Sequence, residues 1–196
     1  LKSSKVTDVH IFGRRGPAQA KFTPLELREL GAVKDVDLIV YPEDFEFDEG
    51  SMQAIESSNQ TKQVAKTLTD FTMREPTGAK RRLHLHFLHA PVAILGEDKV
   101  TGLRTERMEL DGSAGVNGTG SFHDWEIDAV YRAVGYAGTQ LPQLPFDDRK
   151  RVIPNHEGRV VDTDDQSTAA DADVVQGVYT TGWIKRGPVG LIGHTK

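Results

Sequence analysis

VTDVHIFGRRGPAQAKFTPLELRELGAVKDVDLIVY, Val6 to Tyr41, is the stretch whose reading decides the fold. Val6 to Phe12 is β-branched and apolar-rich, closes on Gly13 and runs into Arg14, Arg15, Gly16 and Pro17, which predicts a strand entering a basic, glycine-bounded turn. Thr23-Pro24-Leu25-Glu26 then supplies an N-cap, a proline at the first helical position and a glutamate at the third. The helix that follows carries Leu25, Leu27 and Leu30 and stops near Gly31. Asp37 to Tyr41 (DLIVY) reads as a second buried strand, so the stretch forms a β-α-β unit of the parallel-sheet type. The fold class expected is α/β and Rossmann-like.

Working outward, Pro42 to Gly50 is acidic, and Met52 to Arg74 is polar, with Ile55, Val64, Leu68 and Phe71 spaced for one long, mostly exposed helix. Strands are expected at Leu83–Leu88, Val92–Leu95, Val100–Leu110 and Glu126–Val134, with glycine-rich GSAGVNGTGS (Gly112–Ser121) as a hairpin or flexible loop. Residues 136–158 hold prolines and no periodicity, which suggests an extended segment crossing between domains. Short strands at Arg159–Val161 and Gly177–Thr181 lead into GWIKRGPVGLIG (Gly182–Gly193). There is no internal repeat.

The 196 residues carry 24 Lys and Arg against 29 Asp and Glu, a net charge of −5, which speaks against nucleic-acid binding by bulk charge. No apolar run reaches the roughly 18–20 residues that cross a bilayer, so no membrane association is expected and the protein is read as cytoplasmic. Without cysteine the chain has no disulfide framework, no thiolate metal site and no iron–sulfur cluster of its own.

Arg14 and Arg15 follow the carboxyl end of a parallel strand, where open α/β sheets bind ligands, and two adjacent guanidiniums suit a phosphate dianion. Arginine at the end of a second strand accommodates the 2′-phosphate of NADP, where an acidic residue would favour NAD. A solvated basic turn is the plainer alternative. The GxGxxG loop that should precede such an arginine by roughly 20 residues has no counterpart, so either the fold is not dinucleotide-binding or the chain is a piece of a longer protein. Gly187-Pro188-Val189-Gly190-Leu191-Ile192-Gly193 has the composition that lets backbone N–H groups approach a ligand, and Trp183 could cover a flat ring; an ordinary turn with a packed tryptophan is the alternative. His84, His86 and His89 invite a metal reading, but no carboxylate accompanies them at ligand spacing, and no metal site is expected. Asp162, Asp164 and Asp165 lack the glycine and glutamate of a calcium loop. Lys80-Arg81-Arg82, Arg149-Lys150-Arg151 and Lys185-Arg186 are ordinary surface charge, or a dock for an acidic protein.

GRRGPAQAKFTPLELREL (Gly13–Leu30) resembles the NADP-domain run of the adrenodoxin-reductase-like ferredoxin–NADP reductases, in its bacterial, actinobacterial-type branch. GWIKRGPVGLIG resembles the family's flavin-contact motif, and VYRAVGY and LPFDDRKRVIPNHEGRV resemble segments that lie between the two, in matching order and spacing. The resemblance covers essentially the whole chain. It implies the NADP-binding domain of a two-dinucleotide-binding-domain flavoprotein over residues 1–140, lacking its first strand and glycine loop, and a return segment into the FAD domain over 141–196. It implies FAD and NADP as cofactors and a ferredoxin-type iron–sulfur protein as partner. By the same resemblance Arg14, Arg15 and Glu26 hold the 2′-phosphate end of NADPH, Glu29 faces the active site, and Trp183 and Gly190 lie near flavin and nicotinamide. Hydride would pass from NADPH to the flavin and single electrons onward, with Lys185 and Arg186 in the docking surface; the isolated chain is expected to be inactive. Competing readings are a glutamate-synthase-small-subunit-like NADPH oxidoreductase and a non-catalytic nucleotide-binding module, from which GWIKRGPVGLIG separates it.

Overall fold

A computed structural model describes residues 3–187, and the chain divides into two compact units, Leu1–Val130 and Tyr131–Lys196. In the first, strands β1 (Asp8–Phe12), β2 (Val36–Val40) and β3 (Arg81–His86) form a parallel sheet in the order β1-β3-β2. The expected β-α-β unit is present, with β3 inserted between its two strands.

Helix α1 (Pro24–Leu30) starts where the sequence places it. The Thr23 hydroxyl accepts from the Glu26 N–H at 3.2 Å and the Glu26 carboxylate accepts from the Thr23 N–H at 3.0 Å, a reciprocal cap with Pro24 at the first helical position. Gly31 ends the helix, and a Cβ there would lie 2.5 Å from the Phe71 ring, so a side chain at that position would collide with the core.

The long helix expected over Met52–Arg74 is two helices, α2 (Glu49–Ser57) and α3 (Asn59–Thr72). Ser58 divides them: its backbone is extended and its hydroxyl accepts from the Thr61 N–H, offering the chain a cap in place of a continued helix. Leu27 of α1, Val64, Leu68 and Phe71 of α3, and Val40 and Leu85 of the sheet close one core, with Phe87 beside them.

Strands β4 (His89–Leu95), β5 (Gly102–Leu110) and β6 (Val116–Glu126) form an antiparallel meander in the same unit. Here the structure corrects two expectations. Most of the glycine-rich segment is strand: β6 begins at Val116, and its register shifts opposite Glu106–Met108. Gly120, in the left-handed region at φ 73°, donates to the Glu106 carboxylate at 2.9 Å, so the glycines serve a bulge within the ladder. The strand expected at Glu126–Val134, conversely, ends at Glu126. Tyr131 and Val134 are 91% and 84% exposed, and no described strand lies alongside to complete a ladder, without which β-branched side chains do not hold a chain extended.

The second unit is built on β7 (Asn155–His156), β8 (Arg159–Val161) and β9 (Val174–Tyr179), an antiparallel sheet in that order, followed by the single turn α4 (Trp183–Arg186). Phe146, Ile153 and Val160 make its core, with Leu144, Val175, Val178 and Ile184 packed against them. No described helix is long and apolar enough to cross a membrane.

Candidate functional site

Backbone hydrogen bonds hold the turn that follows β1. Gly13 donates to the His86 carbonyl at 2.8 Å and accepts from the His89 N–H at 3.1 Å, while the Arg15 carbonyl accepts from the Leu88 N–H at 3.1 Å. These bonds stitch the turn to the carboxyl end of β3, with Gly16 and Pro17 buried beneath it. The side chains of Arg14 and Arg15 are left exposed, and among the described residues neither has an ion-pair partner. Two adjacent uncompensated guanidiniums on a fixed backbone are arranged to take an anion from solvent.

Glu26 and Glu29 sit one turn apart on the exposed side of α1. The Glu26 carboxylate accepts the Thr23 backbone and hydroxyl bonds, and these hold its carboxyl below the usual range. Its first task here is to cap the helix. Gln19, in the same RRGPAQ run, was not singled out from sequence; its amide N–H donates to the buried Ser51 hydroxyl at 3.1 Å, and its buried carbonyl oxygen has no partner among the described residues.

Beside the carboxyl ends of β2 and β3 lies an open cleft of about 510 Å³, lined among others by Tyr41, Asp44, His86, His89, Arg107 and Trp125. Arg14 and Arg15 do not line it. Asp44 is buried, pairs with Arg107 and accepts from the Phe87 N–H at 2.9 Å; burial nonetheless pushes its carboxyl up from the ordinary value.

In the second unit Trp183 opens α4, half exposed, with its ring 5.5 Å from that of Tyr136. Gly182 and Gly187 flank the turn with positive φ, 71° and 87°, which only glycine adopts readily. What holds this turn was legible only as motif, not as mechanism. Asn155 donates to the Lys185 carbonyl at 3.0 Å, and Ile153 donates to the Ile184 carbonyl at 2.8 Å. Asn155 accepts in turn from the Gly158 N–H, and Gln166 bonds both its N–H and its carbonyl. Asp147 ties the neighbouring loop by accepting from the N–H groups of Arg149, Lys150 and Gln166, and these bonds keep its carboxyl below the usual range. The PFD and IPN residues are thus the scaffold of the tryptophan turn. Gly190 lies outside the described residues.

Several of the basic clusters are matched by acids: Arg82 by Asp8, Arg149 by Asp165, Arg151 by Asp148. Lys185 and Arg186 occupy the last turn of α4.

Known proteins resemble this chain along its whole length. The chain is 37% identical over 202 residues to the NADPH-ferredoxin reductase FprA of Mycobacterium leprae, covering 100% of this chain and 41% of that protein. It is 33% identical over 206 residues to the mitochondrial NADPH:adrenodoxin oxidoreductase of Arabidopsis thaliana, covering 98% of this chain and 42% of that protein. The chain is homologous along its length to the adrenodoxin-reductase-like ferredoxin–NADP reductases. In structure it resembles Mycobacterium tuberculosis FprA in complex with NADPH, with a TM-score of 0.76 at 36% identity over 96% of this chain and 40% of that one. The chain therefore spans about two fifths of the relatives it matches. No protein-family model matches it. The α/β, Rossmann-like class expected from Val6–Tyr41 is the class of these reductases.

Proposed function

We propose that this chain carries the NADP phosphate clamp and part of the flavin surround of an NADPH-dependent reductase that passes electrons through FAD to a ferredoxin-type iron–sulfur protein. The observation that carries the reading is the turn after β1, where a backbone stitched to β3 presents Arg14 and Arg15 without partners among the described residues. Residues 1–140 are read as the NADP-binding part and 141–196 as the return toward the flavin part.

The chemistry belongs to the cofactors: FAD, when bound, takes hydride from NADPH and releases electrons singly. The protein's work is binding and orientation. Arg14 and Arg15 grip a phosphate that never reacts, so their contribution selects NADPH over NADH without altering the reacting centre. Glu26 fixes the helix that follows the clamp and stands within one turn of Glu29, which we assign to the active-site side. Trp183, on a turn anchored through Asn155, offers an aromatic wall suited to a flavin ring, with Gly190 assigned to the same surround. Lys185 and Arg186, on that turn, are the assigned dock for an acidic iron–sulfur protein. We place the enzyme in the cytoplasm.

Calorimetric titration of the chain with 2′,5′-ADP and with 5′-AMP tests the clamp, because the two ligands differ only in the 2′-phosphate. The expected result is preference for 2′,5′-ADP, abolished in Arg14→Ala/Arg15→Ala. Tighter binding of 5′-AMP, or a preference that survives the double substitution, overturns the assignment.

A further inference from the structure

Three imidazoles meet on the face of the parallel sheet opposite the helices. Parallel pairing sets His10 of β1 beside His84 of β3, and His86 follows two residues on, on the same face. One ring nitrogen from each lies within 4.8 Å of the others, His84 and His86 are buried, and the three rings are parallel to within 11°. His10 Nδ1 and His86 Nε2 are 2.9 Å apart.

We propose that His10, His84 and His86 form a binding site for a divalent transition metal ion of the zinc type, a departure from the sequence-based expectation of no metal. Histidine spacing within Leu83–His89 could not reveal it, because the third ligand arrives from a strand more than seventy residues earlier, through the sheet register. Three neutral imidazoles with water in the fourth position make an ordinary zinc ligand set.

A carboxylate already stands behind one of these rings. Asp8 accepts from His84 Nε2 at 3.1 Å, so that in the neutral ring the proton sits on Nε2, and Nδ1, 2.8 Å from the Tyr41 hydroxyl, keeps its lone pair. A carboxylate behind a ligating histidine fixes its tautomer and raises its basicity, and Arg82 holds Asp8 in place with bonds of 2.6 and 2.9 Å. The in-plane lone pairs of parallel rings do not converge, so binding asks that the stacked His84 ring turn out of parallel with His10, that the Tyr41 hydroxyl swing aside, and that the nitrogens of His10 and His86 part from 2.9 Å to the roughly 3.4 Å between ligands of a tetrahedral zinc ion.

The experiment titrates the metal-free chain with Zn²⁺ by calorimetry and with Co²⁺ by visible absorption, which reports tetrahedral coordination. One ion per chain is expected, with a rise in Tm on adding zinc. His10→Gln and His86→Gln should each weaken zinc by about 100-fold or more, and Asp8→Asn by about tenfold or more. His156→Gln, at an exposed histidine of the second unit, should leave binding unchanged. Failure of the wild-type chain to take up an ion, or wild-type affinity in a folded His10→Gln chain, overturns the site. If the variants do not fold, nitrogen NMR of the wild-type histidine rings decides: zinc-dependent shifts at His10, His84 and His86 support the site, and shifts at His89 and His123 in their place overturn it.

Discussion

Leu83 and Leu85 leave β3 on one side and His84 and His86 on the other, so the same strand contributes to two unlike environments. The first is closed by α1 and α3 through Leu27, Leu68 and Phe71, a core of aliphatic and aromatic side chains. The second is a stack of imidazoles with Phe12, Tyr41 and Trp125 against them, bound into the chain Arg82–Asp8–His84–Tyr41. The apolar face depends on excluded volume and lost water contact, and the polar face on directional bonds and on which nitrogens carry protons. The two faces should respond to different perturbations.

The largest effect is expected on the apolar face. Leu85→Ala leaves a cavity at a position 1% exposed and should cost about 2–5 kcal/mol, read from urea denaturation. Asp8→Asn, on the other face, removes a carboxylate that bonds Arg82 and His84 at a partly exposed site and should cost about 1–2 kcal/mol. A loss from Asp8→Asn as large as that from Leu85→Ala would mean that the imidazole face is as structural as the core.

Acid should separate the faces without any substitution. The folded chain keeps His86 neutral down to about pH 3, whereas in the unfolded chain it takes its proton near pH 6.5. Stability is therefore full above pH 6.5 and falls as pH drops toward about 3, at up to about 1.4 kcal/mol per pH unit for one such group. His10 and His89, both lowered chiefly by burial, act in the same direction, and the depressed carboxyl of Asp8 extends the loss below its ordinary value of 3.8. Asp44, pushed up by burial, opposes them. Denaturation midpoints measured from pH 7 to pH 4 check this; a flat profile in that window would show that the rings are solvated. The smallest effect belongs to the clamp: Arg14→Ala should shift stability by no more than about 0.5 kcal/mol, since the side chain is exposed and the turn is held by backbone bonds.

Features carried by short-range patterns were legible in the sequence. The α1 cap could be read because Thr23, Pro24 and Glu26 act within one turn of each other, and β1 and β2 because β-branched and other apolar residues crowd both, even though Val9 and Ile11 of β1 stay exposed. The Ser58 break was harder, since serine is equally at home on an exposed helical face and its choice depends on the cap it can form. β6 was hidden because glycine signals turns, and only the opposite strand decides whether it serves a bulge. The segment after Glu126 erred the other way, its β-branched residues favouring a strand without being sufficient for one. In the candidate site, the arginine pair and the tryptophan turn were visible as motifs. The roles of Asn155 and Asp147 were not, because a buried amide or carboxylate that holds loops together differs from a surface one only in where its bonds go. His10 was invisible for the same reason, joined to its neighbours by register alone.

The two tryptophans fall one in each unit. Trp125 donates its indole N–H to Thr105 at 2.8 Å and packs against His86, His89 and His123, whereas Trp183 stands half in water beside Tyr136. Emission from the first should be blue-shifted and dimmed once its imidazole neighbours take up protons; emission from the second should be red-shifted and indifferent to them. The chain thus carries two native optical reporters, whose light distinguishes acid loosening of the histidine face from unravelling of the tryptophan turn in a single unlabelled sample.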